Sequence, residues 1–205
     1  MTRQFWHNDI TDKSFSTLVE LNKQFRFILI GGWAVYLWSK KMKSKDIDIV
    51  LDFSELGKMR EKYNIQKNTR LRKYEAKFRE FDIDIYLPHY SRIGFPLGEL
   101  NNHTHNLEGF RVPQIEVLLF LKLYTFGERK NSVKGEKDKL DIIGLLQAVD
   151  IDWDKFRKLC KDYQQDLIPI LRSILNRTDQ VKELNINNSD MAKLKKEIWK
   201  NILQV

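Results

Sequence analysis

Two four-residue runs carry the candidate chemistry of this chain, Asp46-Ile47-Asp48-Ile49 and Asp82-Ile83-Asp84-Ile85. In an extended strand successive side chains point to opposite faces. Asp46 and Asp48 then share one face, with Ile47, Ile49 and Leu51 on the other, and Asp82 and Asp84 share a face opposite Phe81, Ile83, Ile85 and Leu87. If the two strands are neighbours over one core, these carboxylates crowd a single patch, and like charges so placed repel unless a cation binds them. An oxygen-only donor set without clustered His or Cys suits Mg²⁺ or Mn²⁺. Carboxylates from two strands can hold two such ions roughly 3.5–4 Å apart, an arrangement that serves phosphoryl transfer. One Asp-x-Asp alone reads as solvent-facing acids on a half-exposed strand; its recurrence makes the pattern informative.

Upstream, Ile28-Leu29-Ile30-Gly31-Gly32-Trp33-Ala34-Val35 reads as a buried strand passing through paired glycines into a helix. That geometry lets backbone N–H groups face a phosphate. Lys40, Lys41, Lys43 and Lys45 lie between the glycines and the first acids.

The elements that must position these residues follow from hydrophobic period. Strands are predicted over 26–30, 45–53, 74–78 and 80–87, and helices over 14–23, 34–41 and 54–63. Residues 88–112, rich in Gly, Pro and Asn, read as a long connection and the domain boundary. Beyond it the period becomes helical: Pro113 suits a helix first turn running to about residue 126, and further helices are predicted over 136–149, 152–163, 166–175 and 189–203, with Asp152 and Ser189 as N-caps. The predicted class is α+β, a small mixed sheet with helices in a catalytic domain (1–100) followed by a helical domain (101–205).

Composition narrows the function. The one cysteine, Cys160, excludes a disulfide scaffold and reads as a buried small hydrophobe. No apolar run approaches the roughly 18 residues that cross a bilayer, and the first residues are too polar for a signal peptide, so no membrane and a cytoplasmic location are expected. The net charge is +8, yet residues 58–79 alone hold nine basic and two acidic side chains. A block of this kind suits a polyanion, or is a solvated basic face. Arg70, Arg72 and Lys73 are its candidate RNA-acceptor contacts, and Tyr63 and Tyr74 flank it closely enough to be considered for base stacking. The five tryptophans are scattered and read as core or interface. Lys122 shares a helix face with Ile115, Leu118, Leu119 and Phe126, so it is either a snorkelling lysine or a buried ammonium that an anion must meet. On the latter reading, Lys122→Met leaves stability equal or higher.

The strings GGWAVYLW, KSKDIDIV and FDIDIYLP resemble the nucleotidyltransferase superfamily with the polymerase-β-like fold. The later Pro113–Leu123 run, Arg129, and Lys137-Asp138 with Asp141 are similar to the helical region of minimal nucleotidyltransferases, including the abortive-infection and MenT-like toxin enzymes. The resemblance spans about residues 25–147. It implies transfer of a nucleoside monophosphate from an NTP to an acceptor hydroxyl, with RNA such as tRNA as the expected acceptor and Mg²⁺ or Mn²⁺ as the expected metal. Protein or small-molecule acceptors, and a catalytically silent antitoxin-like binding module, are the alternatives, and an antitoxin or other protein is the implied partner of a toxin-type enzyme. It makes Asp46 and Asp48 metal ligands and catalytic residues and Asp84 the third carboxylate, although Asp82 fits the pattern equally well. Gly31, Gly32, Lys45 and Lys122 become the nucleotide-binding residues. Where many members have Ser after the first Gly, this chain has Gly32 and Trp33, which shifts phosphate contact to backbone N–H groups.

Overall fold

A computed structural model describes residues 3–203, with side chains described over 8–202; Trp6 lies outside the described side chains. The chain divides into two compact units, the first comprising the chain up to Leu37 with Lys43–Gln114, the second Trp38–Met42 with Ile115 onward.

The first unit runs α1 (Arg3–Gln24), β1 (Ile28–Ile30), α2 (Gly31–Ser39, which continues into the second unit), β2 (Ile47–Val50), α3 (Phe53–Arg60), β3 (Ile65–Asn68), β4 (Lys73–Lys77), β5 (Asp82–Tyr86), a 3₁₀ turn at Leu100–His103, β6 (Thr104–Leu107) and β7 (Phe110–Pro113). Thr11, Ser14, Leu18 and Leu21 are buried at helical spacing, giving α1 one core-facing stripe. Ser14 Oγ in that stripe accepts the indole N–H of Trp33 at 3.0 Å. The helix starts well before residue 14, and an exposed i,i+4 pair of Asp9 with Lys13 supports the polar stretch ahead of it.

Five strands form a sheet in the order β1-β2-β5-β4-β3. All neighbours are antiparallel except β2 and β5, which run parallel and pair Ile47 with Ile83, Asp48 with Asp84 and Ile49 with Ile85. The four isoleucines are fully buried, while Asp48 and Asp84 are half-buried on the opposite face. Alternation thus sends one face to the core and the other to the acids.

Several expectations change in this unit. Residues 88–112 are no structureless connection. They hold the β6–β7 hairpin, whose turn residues Glu108 and Gly109 both have positive φ, the two-residue geometry that matches strand twist. Pro113 ends β7 rather than opening a helix, since a strand terminus can do without its N–H, and Gln114 N–H continues the hairpin by donating to His103 O at 2.8 Å. The first compact unit runs on to Gln114, and the hairpin belongs to it. The edge strand β3, absent from the predicted elements, carries Lys67 and two other polar residues over its four positions, as edge strands often do.

The second unit comprises α4 (Ile115–Arg129), α5 (Val133–Ala148), α6 (Trp153–Asp162), α7 (Ile168–Asn176), a 3₁₀ turn at Lys182–Leu184 and α8 (Asn188–Leu203). Every residue of α4 from Ile115 to Leu123 is buried, and α5, α6 and α7 pack around it. Ser132 and Asp152 cap α5 and α6 by accepting the N–H groups of Gly135 and Lys155. The predicted cap of the last helix moves from Ser189 to Asn187, whose Oδ1 accepts Asp190 N–H at 3.0 Å. Cys160 is buried, and burial pushes its thiol up to about 11, which suits a packing role.

Candidate active site

The parallel junction of β2 and β5 builds the site. Asp48 and Asp84 are Cα partners across it and project from the same face. Asp46 precedes β2 and shares that face by alternation; its Oδ1 accepts Asp82 N–H at 3.2 Å, clipping the start of β2 onto β5. Tyr86, two residues beyond Asp84, extends its hydroxyl to within 3.4 Å of Asp48 Oδ1.

Gly31 opens α2 with φ +68° directly against Asp48. A Cβ at Gly31 would stand 2.1 Å from Asp48 Oδ2 and 2.7 Å from Asp48 Cβ, so only glycine allows the helix N-terminus to approach this carboxylate. Gly32 is buried in the first turn of α2, and Lys45 is exposed on the segment entering β2.

Burial, then the neighbouring Asp48 charge, pushes the Asp84 carboxyl up to about 6 despite the ammonium of Lys73 at 2.6 Å. The Glu75 charge adds to both, and together they outweigh the ion pair with Lys73. For Lys73 itself burial works to lower its pKa, but its hydrogen bonds and charge contacts with Asp84 and Glu75 outweigh burial and raise it. Lys73 is therefore not an exposed acceptor contact beside Arg70 and Arg72. Those two arginines are exposed around the β3–β4 turn, whereas Lys73 is only 8% exposed and belongs to the carboxylate face. Alternation along β4 explains the difference, since Lys73 and Glu75 point one way and Tyr74 and Ala76 the other. Tyr74 is not a free stacking platform either. It is buried, with the Arg60 guanidinium 5.1 Å and Lys67 Nζ 5.9 Å from its ring centroid, and Tyr63 packs between Phe25 and Phe78.

In the second unit, Lys122 is 8% exposed, with Nζ 2.7 Å from Asp141 Oδ2 and 3.4 Å from Asp138 Oδ1. Asp138 is also held by Arg129 Nε at 2.8 Å. The anion that a buried ammonium requires is thus supplied by the protein, and the chemical ground for a phosphate at Lys122 falls away. For the same reason the expected tolerance of Lys122→Met reverses, because methionine would leave buried carboxylates behind.

Among the described residues, no three acidic, His or Cys side chains already converge into a closed metal cage. The donor set still fits a hard divalent cation: Asp48 and Asp84 stand abreast and offer only oxygens, and the Asp48 charge adds to burial in raising Asp84.

Glu75 and Tyr86 are the site residues that sequence reading passed over, and Lys73 is one it assigned to the acceptor instead of to the carboxylates. Their signal was alternation: Lys73-x-Glu75 on β4 and Asp84-x-Tyr86 on β5 repeat the period of the acids.

No family model matches this sequence, and neither does any curated protein. Solved structures do. JHP933 from Helicobacter pylori superposes with a TM-score of 0.53 at 15% identity, over 100% of this chain and 94% of that one. A candidate nucleotidyltransferase from Helicobacter pylori gives 0.55 at 16% identity, over 100% and 97%. The antibiotic-resistance factor ANT(2'')-Ia gives 0.51 at 13% identity, over 80% and 95%. The chain has a nucleotidyltransferase fold. Within that nucleotidyltransferase fold, the acids expected from the sequence lie where the two parallel strands meet, and Gly31 adjoins Asp48.

Proposed function

We propose that the protein is a divalent-metal-dependent nucleotidyltransferase that moves a nucleoside monophosphate from an NTP to an acceptor hydroxyl. The observation that carries this reading is the side-by-side placement of Asp48 and Asp84 with Gly31 closed against Asp48. Asp46, Asp48 and Asp84 would hold Mg²⁺ or Mn²⁺, with Asp84 preferred over Asp82 because Asp84 is the direct partner of Asp48. The bound metal would supply charge neutralisation at the α-phosphate and at both oxygens exchanging there. The N–H groups at the start of α2, from Gly31 and Gly32, and the exposed Lys45 would orient the triphosphate. Asp84, set beside Asp48 by the strand register, would take the acceptor's hydroxyl proton. The acceptor oxygen bonds to the α-phosphorus, the bond to the β-phosphate oxygen breaks, and pyrophosphate leaves.

The acceptor we favour is RNA, such as tRNA, because the charge excess of residues 58–79 puts Arg70 and Arg72 at an exposed turn of the same unit. The likeness to ANT(2'')-Ia, solved with adenylyl-2''-tobramycin, favours a small-molecule acceptor instead. A toxin role with an antitoxin partner rests on the sequence resemblance, and growth arrest on expression that an Asp48→Asn variant does not cause would support it. The use of NTP agrees with a cytoplasmic location, and among the described residues no helix is long and apolar enough to cross a membrane.

Incubation of the full chain with each α-labelled NTP, Mn²⁺ and either total RNA or a panel of aminoglycosides tests the reading. Label in RNA or in a small molecule, lost in Asp48→Asn, supports it and identifies the acceptor class. No labelled product with any NTP overturns it.

A further inference from the structure

The row of carboxylates does not end at Asp84. On the next strand Glu75 is the cross-strand partner of Asp84, as Asp48 is on the other side. Asp48, Asp84 and Glu75 therefore lie in one line across three neighbouring strands. Lys73 sits between the last two, with Nζ 2.6 Å from Asp84 Oδ2 and 3.0 Å from Glu75 Oε1. All three of these side chains are nearly enclosed.

Glu75 is itself fixed from the far side. Asn68 Nδ2 donates to Glu75 Oε1 at 2.9 Å, and Asn68 Oδ1 accepts Leu71 N–H at 3.0 Å. A chain of contacts thus runs from the β3–β4 turn through Asn68, Glu75 and Lys73 to a single oxygen of Asp84. Packing alone does not call for a lysine here, since desolvating an ammonium is unfavourable where an apolar side chain would fill the space. The compact charge of lysine can be shared between two carboxylates, and its length reaches Asp84 from two strand positions away.

We propose that Lys73 is a positioning residue for Asp84. It holds Oδ2, leaves Oδ1 as the oxygen for the cation and the acceptor hydroxyl, and competes with divalent metal for this carboxylate. Glu75 sets how firmly it does so. With Glu75 present the ammonium is divided between two acids and yields to metal; without Glu75 it would pair with Asp84 alone. The inference rests on the nucleotidyl-transfer reading of the same face.

Mn²⁺ binding to the full-length chain, followed by the electron paramagnetic resonance signal of free Mn²⁺, separates the possibilities. Lys73→Met is expected to tighten Mn²⁺ binding by roughly three- to tenfold, since a competing cation is removed, and Glu75→Gln is expected to weaken it by a similar factor. Pyrophosphate release should fall in kcat more than in KM for Lys73→Met, because the carboxylate loses its orientation while the nucleotide contacts remain. Loss of a merely structural ion pair would weaken metal binding in both variants, so opposite signs are the signature. Unchanged or weaker binding in Lys73→Met overturns the proposal. If that variant does not fold, Glu75→Gln decides, and unchanged or tighter binding there overturns it. Asp48→Asn is the control for the site. Binding lost in Asp48→Asn while Lys73→Met fails to tighten it overturns the role of Lys73 only. Equal binding by wild type and Asp48→Asn overturns the site reading and this inference together.

Discussion

Gly31 and Asp48 meet with no room for a methyl group between them, the space a Cβ would need at Gly31 being taken by the Asp48 carboxylate. Gly31→Ala is therefore expected to cost about 1–3 kcal/mol through positive φ alone, and to displace Asp48 as well. Thermal unfolding should show a loss of several degrees, and NMP transfer should fall further than stability explains. Gly57→Ala is the matched control. It adds a methyl in α3 where nothing lies within 4 Å, and it should stabilise by about 0.5–1 kcal/mol.

The Asp84 carboxyl is pushed from 3.8 up to about 6 in the folded protein. Between those values the native state holds more protons than the unfolded state, so this group's contribution to stability is present at low pH and is lost as pH rises through about 6. Asp84→Asn should leave the metal-free protein more stable than wild type at pH 7, by on the order of 1–3 kcal/mol, and the difference should shrink towards pH 4.5. Melting curves in chelator across that range check the sign; a gap that widens on acidification would mean that Lys73 stabilises the ionised form more strongly than burial opposes it.

Lys122→Met removes the ammonium that meets Asp138 and Asp141 in the second unit. Arg129 still holds Asp138, but Asp141 loses its cation. A loss of about 3–5 kcal/mol is expected, as for other broken buried ion pairs. Chemical denaturation should show it, with partial recovery when Asp141→Asn is added; full stability in the single variant would contradict the buried network.

Arg70→Glu with Arg72→Glu tests the acceptor without touching the carboxylate face. If RNA is the acceptor, its affinity should drop and its dependence on salt should flatten, while NTP binding holds. Filter binding across a salt series reads both. Unchanged RNA affinity would favour a small acceptor.

The acid pairs, the paired glycines and most helices were legible because each rests on a local period. Ile47, Ile49, Ile83 and Ile85 declare a buried face, and the aspartates follow from it. What sequence hid was lateral. Nothing near Lys73 shows that β4 will lie next to β5, so its charge was counted with the exposed arginines. Likewise Lys122 shows an apolar helix face, but its partners come from another helix 16 and 19 residues on. The β6–β7 hairpin escaped because Glu108 occupies a positive-φ position usually held by Asn, Asp or Gly.

The two Asp-Ile-Asp-Ile runs lie side by side, parallel and in step. Sliding one past the other by two residues would again set isoleucine on isoleucine and aspartate on aspartate, so the repeated tetrapeptide is degenerate with respect to such a slip. Alignment must come from features that occur once: Asp46 receiving Asp82 N–H, Leu51 N–H donating to Tyr86 O, and Gly31 admitting Asp48 alone. The residues around the acids thus act as an index mark for two otherwise interchangeable tracks, and damage to them would yield a sheet that keeps its core while bringing the wrong aspartates together.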